Sequence, residues 1–310
     1  MKKMRIPLIS ALAVAVIGII FGSFFDLEIS KAIASASNNY ALFVSAICPT
    51  IGFAAVALMG GGLIAFGLKK EYHIALRISF FVFAAACFFV SIFYPYGEYF
   101  GINGFYGAAP KAVGLAIVIL PEAAAMVGGY FLFRNCSNKN MWIVFYVVIA
   151  LLLIGLLAII PNIKDAMRRP RYRFLAEYDE MNLFHNWWEP TKNYKDIMIA
   201  HGMDVENSDL RDHFKSYPSG HTAETSILIV AATFFPMADK RFQKYQLPIF
   251  GVACAFVLWV ALARIMAAAH FLSDVSWGAT IIIALTLIAN EVLLRFKKLQ
   301  APEESALKKE

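Results

Sequence analysis

The feature that most constrains this chain is where its charges fall. Lysine, arginine, aspartate and glutamate gather in short clusters, and uncharged apolar stretches run between them. Each stretch is near the roughly 20 residues a helix needs to cross a hydrocarbon layer of about 30 Å. Eight are read from the sequence, over residues 6–25, 40–68, 78–97, 112–133, 141–162, 219–238, 247–263 and 275–294. A backbone in hydrocarbon satisfies its polar groups only in a helix or a closed barrel, and runs this long are helical. The expected fold is all-α, a polytopic membrane helix bundle of about eight transmembrane helices. The composition agrees: 60% of residues are hydrophobic and 16% charged, against about 45–50% and 25% in soluble domains. Disorder, a disulfide scaffold and a nucleic-acid module fit poorly. The four cysteines lie apart, Cys87 and Cys254 deep in apolar runs, and are read as packing residues.

The first stretch follows Lys2, Lys3 and Arg5, as a signal sequence would. It has no convincing small-residue cleavage site before Asp26 and Glu28, so it is read as an uncleaved span. Sixteen of the 28 lysines and arginines fall at one set of span ends. By the positive-inside rule these ends, and both termini, are cytoplasmic. The opposite face should carry few basic residues, yet nine lie in the polar segment 164–218. A site for a phosphate would account for them. The segment is too long for a tight turn and is expected to form an extracytoplasmic cap with short helices. Its Trp187-Trp188 pair is read as an interfacial anchor, with a substrate groove as the alternative.

Three clusters of chemically capable residues emerge on that same face. Lys164 and Arg171 follow the fifth span, Pro218-Ser219-Gly220-His221 opens the sixth, and Arg264, His270 and Asp274 join the seventh to the eighth. Lys164 and Arg171 offer fixed charge and a forked donor set suited to a tetrahedral oxyanion. Ser219 and Gly220 lie at a helix start, where free N–H groups favour an anion. His270 and Asp274 are four residues apart. On a helix they would share a face, the carboxylate holding one ring nitrogen and leaving the other as a nucleophile. His221 is placed to protonate a leaving oxygen.

The order Lys-x6-Arg, Pro-Ser-Gly-His, Arg-x5-His-x3-Asp resembles the three-part signature of the type 2 phosphatidic acid phosphatase (PAP2) superfamily, whose fold and site are shared with vanadium haloperoxidases. The resemblance covers about 164–294. It implies that His270 attacks phosphorus to give a phosphohistidine, that Asp274 orients it and that His221 protonates the leaving group. Lys164, Arg171, Ser219, Gly220 and Arg264 would bind the phosphoryl oxygens, and no metal or cofactor is implied. Two positions depart from the pattern. Tyr172 stands where proline is usual, with Pro170 supplying stiffness two residues earlier, and Ala263 stands where serine is usual, removing one hydroxyl donor.

On this reading residues 1–140 are membrane spans of unknown role, 141–294 a phosphatase core including the loop 164–218, and 295–310 a cytoplasmic polar tail. The expected activity is hydrolysis of a lipid phosphate or pyrophosphate at the outer face of a bacterial plasma membrane. Phosphatidic acid, phosphatidylglycerol phosphate and undecaprenyl pyrophosphate are the candidate substrates, membrane lipids the surroundings, and nucleic acid is not a partner. A phosphotransferase would use the same site with another acceptor. A transporter would use Glu122, the acid inside the fourth span, in a water-filled path. Arg168, Arg169 and Arg173 are read as supporting or headgroup-facing charges, His185, His201 and His213 as loop histidines, and Glu224 as half of a structural ion pair. Gly60-Gly61-Gly62 and Gly128-Gly129 are read as close helix contacts.

Overall fold

A computed structural model describes residues 2–100, 111–136 and 138–295. Apart from Arg295, the predicted polar tail lies outside the described residues. The first half of the chain is four long helices: α1 (Arg5–Ile33), α2 (Asn39–Gly67), α3 (Ile74–Phe100) and α4 (Lys111–Phe133). The fifth stretch is one rod in three parts, α5 (Met141–Leu152), a π-helical turn (Leu153–Ile159) and α6 (Ile160–Met167). Pro161 explains the widening: it has no N–H to return to the preceding turn. The Ile160 N–H reaches back to the Gly155 carbonyl instead. The cap holds the short helices α7 (Tyr172–Glu177), α8 (Tyr194–Ala200) and α9 (Ser208–Arg211). Then come α10 (Gly220–Thr225), α11 (Ile227–Phe234), α12 (Lys240–Gln243), α13 (Gln246–Met266) and α14 (Leu272–Arg295). No strand occurs among the described residues.

Seven helical segments there are long and apolar enough to cross a membrane, the make-up of an integral membrane protein. The expected sixth span, 219–238, is instead broken into α10, α11 and a 3-10 turn (Phe235–Ala238). Its sequence supplies the cause. The Thr225 hydroxyl donates to the His221 carbonyl at 2.7 Å and the Ser226 hydroxyl to the Thr222 carbonyl at 2.8 Å, contacts that bend helices.

Helix α2 is the most buried of the long helices. A Cβ on Gly61 would collide with the Met126 carbonyl of α4, and one on Gly129 with the Leu58 carbonyl of α2, so both glycines set close helix contacts, whereas Gly128 meets nothing. The main apolar core draws on both halves of the chain, with Leu63, Phe66, Phe133 and Phe145 packed in one cluster with Ile227, Phe234 and Ile282. Helix α1 lies on the outside against α14 and turns Ile6, Ile17 and Phe24 outward. The cap has its own small core of Phe174, Leu175, Met198 and Phe214, which reaches Phe271 beneath it.

Candidate active site

The three predicted clusters meet where the cap sits on the bundle. Lys164 is on the last turn of α6. Arg168, in the left-handed region at φ 50°, ends that helix and turns the chain back. Arg171 then caps the start of α7 in extended backbone. Ser219 caps α10, and the connection from α13 to α14 carries His270. Lys164, Arg171, Gly220, His221 and His270 line a single cavity of about 460 Å³. Tyr94 and Gly97 of α3, Leu156, Ile160 and Pro161 of the α5–α6 rod, and Glu224 of α10 complete its wall on the side of the long helices. Asp165, Asp209, Asp212 and Lys215 line the cap side.

His270 is almost fully buried, and its Nδ1 lies 2.6 Å from the Ser216 carbonyl. A carbonyl only accepts, so the proton sits on Nδ1 and the lone pair on Nε2. Nε2 has no hydrogen-bond partner among the described residues. Burial pushes the ring's pKa well below the usual imidazole range, and Arg171, Arg264 and Lys164 push it the same way. His270 is thus a neutral imidazole with a free lone pair beside a cavity.

The expected contact between Asp274 and His270 is absent. Helix α14 starts only at Leu272, so the two residues do not share a helical face. Asp274 takes the Ser216 hydroxyl at 2.5 Å and the Phe271 N–H at 2.9 Å on Oδ2, and Arg169 at 2.7 Å on Oδ1. It reaches His270 through Ser216, whose hydroxyl it holds and whose carbonyl holds the ring.

The predicted anion-binding residues divide. Arg171 gives one Nη2 hydrogen bond to Asp212 at 2.7 Å, while its Nε and Nη1 are buried with no partner among the described residues. Lys164 Nζ donates to the Lys215 carbonyl at 2.9 Å. Asp212 also accepts from Arg173 at 2.8 Å. Burial raises its carboxyl, but Arg171, Arg173, Lys164 and Arg264 outweigh that and hold it below the ordinary carboxylate range. Gly220 is open: a Cβ there would lie 3.5 Å from Glu224 Oε1 and 3.9 Å from Lys164 Cε. Ser219 is not on the cavity wall. Its hydroxyl accepts from Thr222 N–H and Oγ1, and its own N–H donates to the Asp274 carbonyl at 3.0 Å. Arg264 is buried behind the wall in the last turn of α13, near enough for its charge to act on His270 and Asp212. Of the two departures, Tyr172 takes the first position of α7 and meets Phe271 edge to face at 6.3 Å. Ala263 packs with Val44 and Cys48 of α2.

The PAP2 superfamily model matches residues 139–298, about half the chain, and takes in all three clusters. The chain belongs to the PAP2 superfamily. Neither a curated protein nor a solved structure matches it. PAP2 members are phosphatases, and the chain is a phosphoric ester hydrolase of that general type.

Sequence reasoning missed several residues that build this PAP2 site. Ser216 supplies a backbone carbonyl, which no side-chain motif can announce. Asp212 lies in the cap with no distinctive spacing. Asp26 and Ser273 surround Arg169, the buried guanidinium inside the first motif, whose neighbours on either side drew the attention. Other readings find their places. Trp187 packs on Trp277 and Tyr217, and its Nε1 donates to Ser23 of α1 at 3.0 Å, so it fastens the cap to the helices, while Trp188 is half exposed. His185 bonds the Leu183 carbonyl and Thr191, and His201 pairs with Glu180. Glu224 lines the cavity, whereas Glu122 is fully buried in α4 and does not.

Proposed function

We propose that the protein hydrolyses a lipid phosphate or pyrophosphate at the outer face of a bacterial plasma membrane through a phosphohistidine on His270, both termini being cytoplasmic. The observation that carries this reading is the neutral His270 ring: its Nδ1–H is spent on Ser216, its Nε2 keeps its lone pair, and the residue lines a cavity together with Lys164, Arg171 and His221. Nε2 attacks phosphorus while the bond to the leaving oxygen breaks, and His221 gives that oxygen a proton; burial, Arg264, Arg171 and Lys164 hold its pKa well below the usual imidazole range, and the negative charge of the bound substrate offsets those cations and lets the ring carry the proton. Water then attacks the phosphohistidine, His221 takes a proton from it, the P–N bond breaks and phosphate leaves. Lys164 and Arg171 balance charge on the phosphoryl oxygens, Gly220 lets the start of α10 approach them, and Arg264 adds its charge from behind the wall. Asp274 orients His270 by way of Ser216.

The cavity wall supports a lipid substrate. Leu156 faces the cavity while Leu153 and Leu157, on the same rod, face outward at 49% and 52% exposure. An amphiphile can present its headgroup to His270 with its tail still in lipid. The test is phosphate release by purified protein in detergent, with EDTA present, from phosphatidic acid, phosphatidylglycerol phosphate and undecaprenyl pyrophosphate. Rapid quenching should trap an acid-labile, alkali-stable phosphoenzyme. Activity that survives His270→Ala overturns the mechanism, and phosphate that passes to an added acceptor lipid rather than to water makes the protein a phosphotransferase. Reporter fusions that place the C-terminus outside overturn the topology.

A further inference from the structure

We infer that Asp26, on the first helix and outside the matched family region, is a positioning residue for His270. The inference rests on the reading of His270 as nucleophile. Asp26 is 1% exposed although α1 is otherwise a peripheral helix. A carboxylate is costly to bury unless its oxygens are paired, and here both are. Oδ1 accepts from the Ser273 N–H at 2.9 Å, and Oδ2 from the Ser273 hydroxyl at 2.5 Å and Arg169 Nη2 at 3.0 Å.

Arg169 is the shared element. Its Nη2 goes to Asp26 and its Nη1 to Asp274, at 2.7 Å, and to Ser273 Oγ at 2.9 Å. Its Nε donates to the His185 carbonyl at 3.0 Å, and the plane lies over the Phe271 ring at 4.3 Å. The fork is divided between two carboxylates, so each limits how far the guanidinium can turn toward the other. Without the Asp26 charge, Nη2 is free to join Nη1 on Asp274 in the bidentate geometry that arginine and carboxylate prefer. That pull acts against the Ser216 hydroxyl and the Phe271 N–H on the other oxygen of Asp274. Ser216 in turn fixes His270. The path from Asp26 to the nucleophile is four hydrogen-bonded links, all buried.

The sequence of α1 is built to bring Asp26 there. Gly18, Gly22 and Asp26 are spaced by four and lie on one face. A Cβ on Gly22 would come within 2.6 Å of the Ser273 N–H nitrogen, and one on Gly18 would collide with Ser276 Oγ. Only a bare backbone lets α1 approach α14 closely enough for Asp26 to reach Ser273 and Arg169.

The test compares wild type, Asp26→Asn and His270→Ala in detergent, with the lipid phosphate that the wild type hydrolyses fastest. Asp26→Asn keeps the shape and removes the charge. We expect kcat to fall about 10- to 100-fold, the scale of a small misplacement of a reacting group. KM and the inhibition constant for inorganic phosphate should stay within about threefold, because Asp26 does not line the cavity. The inhibition constant for orthovanadate, which takes an imidazole nitrogen as its fifth ligand, should rise by the same factor as kcat/KM falls. A purely structural role would instead lower the active fraction and leave the vanadate constant unchanged. Unchanged kcat and vanadate inhibition in Asp26→Asn, with His270→Ala inactive, overturn this inference alone. An active His270→Ala overturns the reading beneath it. Where Asp26→Asn does not fold, Gly22→Ala displaces Asp26 without removing its charge. It should show the same split, and a wild-type kcat and vanadate constant there overturn the inference.

Discussion

Replacing Ser216 with alanine separates two ways in which Asp274 can act on His270. If the carboxylate touched the ring, Ser216 would be a bystander and its hydroxyl dispensable. In the structure the hydroxyl gives its hydrogen bond to Asp274 at 2.5 Å and the carbonyl of the same residue receives Nδ1 at 2.6 Å. A hydrogen bond to a charged acceptor contributes about 1.5–3 kcal/mol. Expressed wholly in the placement of His270 at the transition state, at about 1.36 kcal/mol per tenfold in rate, its loss lowers kcat about 10- to 150-fold. The Ser216 N–H still donates to the Arg169 carbonyl at 3.1 Å, which holds the backbone and keeps the effect toward the lower end. Asp274→Asn should be slower still, because the amide cannot accept from Arg169, Ser216 and the Phe271 N–H together. The assay is the full cycle of Ser216→Ala, Asp274→Asn and the double variant, with kcat and KM from phosphate release. The double variant should be no slower than Asp274→Asn alone, with KM near wild type throughout. Multiplying effects, or a Ser216→Ala variant within twofold of wild type, refute the relay.

Three further outcomes are expected. Arg171→Ala should raise KM by about 10- to 100-fold, and Arg171→Lys should recover little of it, because the unfilled Nε and Nη1 donors belong to the fork. Gly278→Val should lower the melting temperature in detergent and abolish phosphate release, since a Cβ there collides with the Ser219 carbonyl where α14 passes the start of α10; a stable, active variant contradicts that packing. His213 should make the fold acid-sensitive. Burial, then Arg173 and Arg171, push its pKa down to about 4, so from pH 6.5 to about 4 the unfolded chain binds a proton that the folded chain does not. Stability is therefore complete above pH 6.5 and is lost as the pH falls, by at most about 3 kcal/mol at about 1.36 kcal/mol per unit, less for screening of a partly exposed ring. The melting temperature of wild type should fall relative to that of His213→Asn as the pH drops from 6.5 to about 4, and the difference between the two should not change with pH above 6.5.

What could be read from the sequence was what depends on short range. The helices follow from unbroken apolar runs, and Lys164, Arg171, His221 and His270 are legible because each sits at the end of such a run within a compact spacing. The interruption of the sixth span is not legible there, because hydropathy does not register hydroxyls that bond their own helix, as Thr225 and Ser226 do. The spacing of Asp274 from His270 suggests a contact that the structure does not make, because four residues mean a shared face only if the helix has already begun, and it begins after His270. That Ser219 caps α10 through its hydroxyl oxygen follows from its place before Gly220, whereas its distance from the cavity wall is not legible in the sequence. Asp26 gave no local signal at all, since its meaning depends on partners in two other parts of the chain.

That separation has a consequence for how the protein is made. Arg169 follows Asp26 by 143 residues and Ser273 by 247. At about 5–20 residues per second, α1 leaves the ribosome roughly 7–30 s before Arg169 and 12–50 s before Ser273. Through that interval its acid has neither of its final partners, and the glycine face above it has no α14 to lie against. The seat of Asp26 between Arg169 and Ser273 can close only after α14 has begun to emerge, so docking of α1 is a late event in biogenesis.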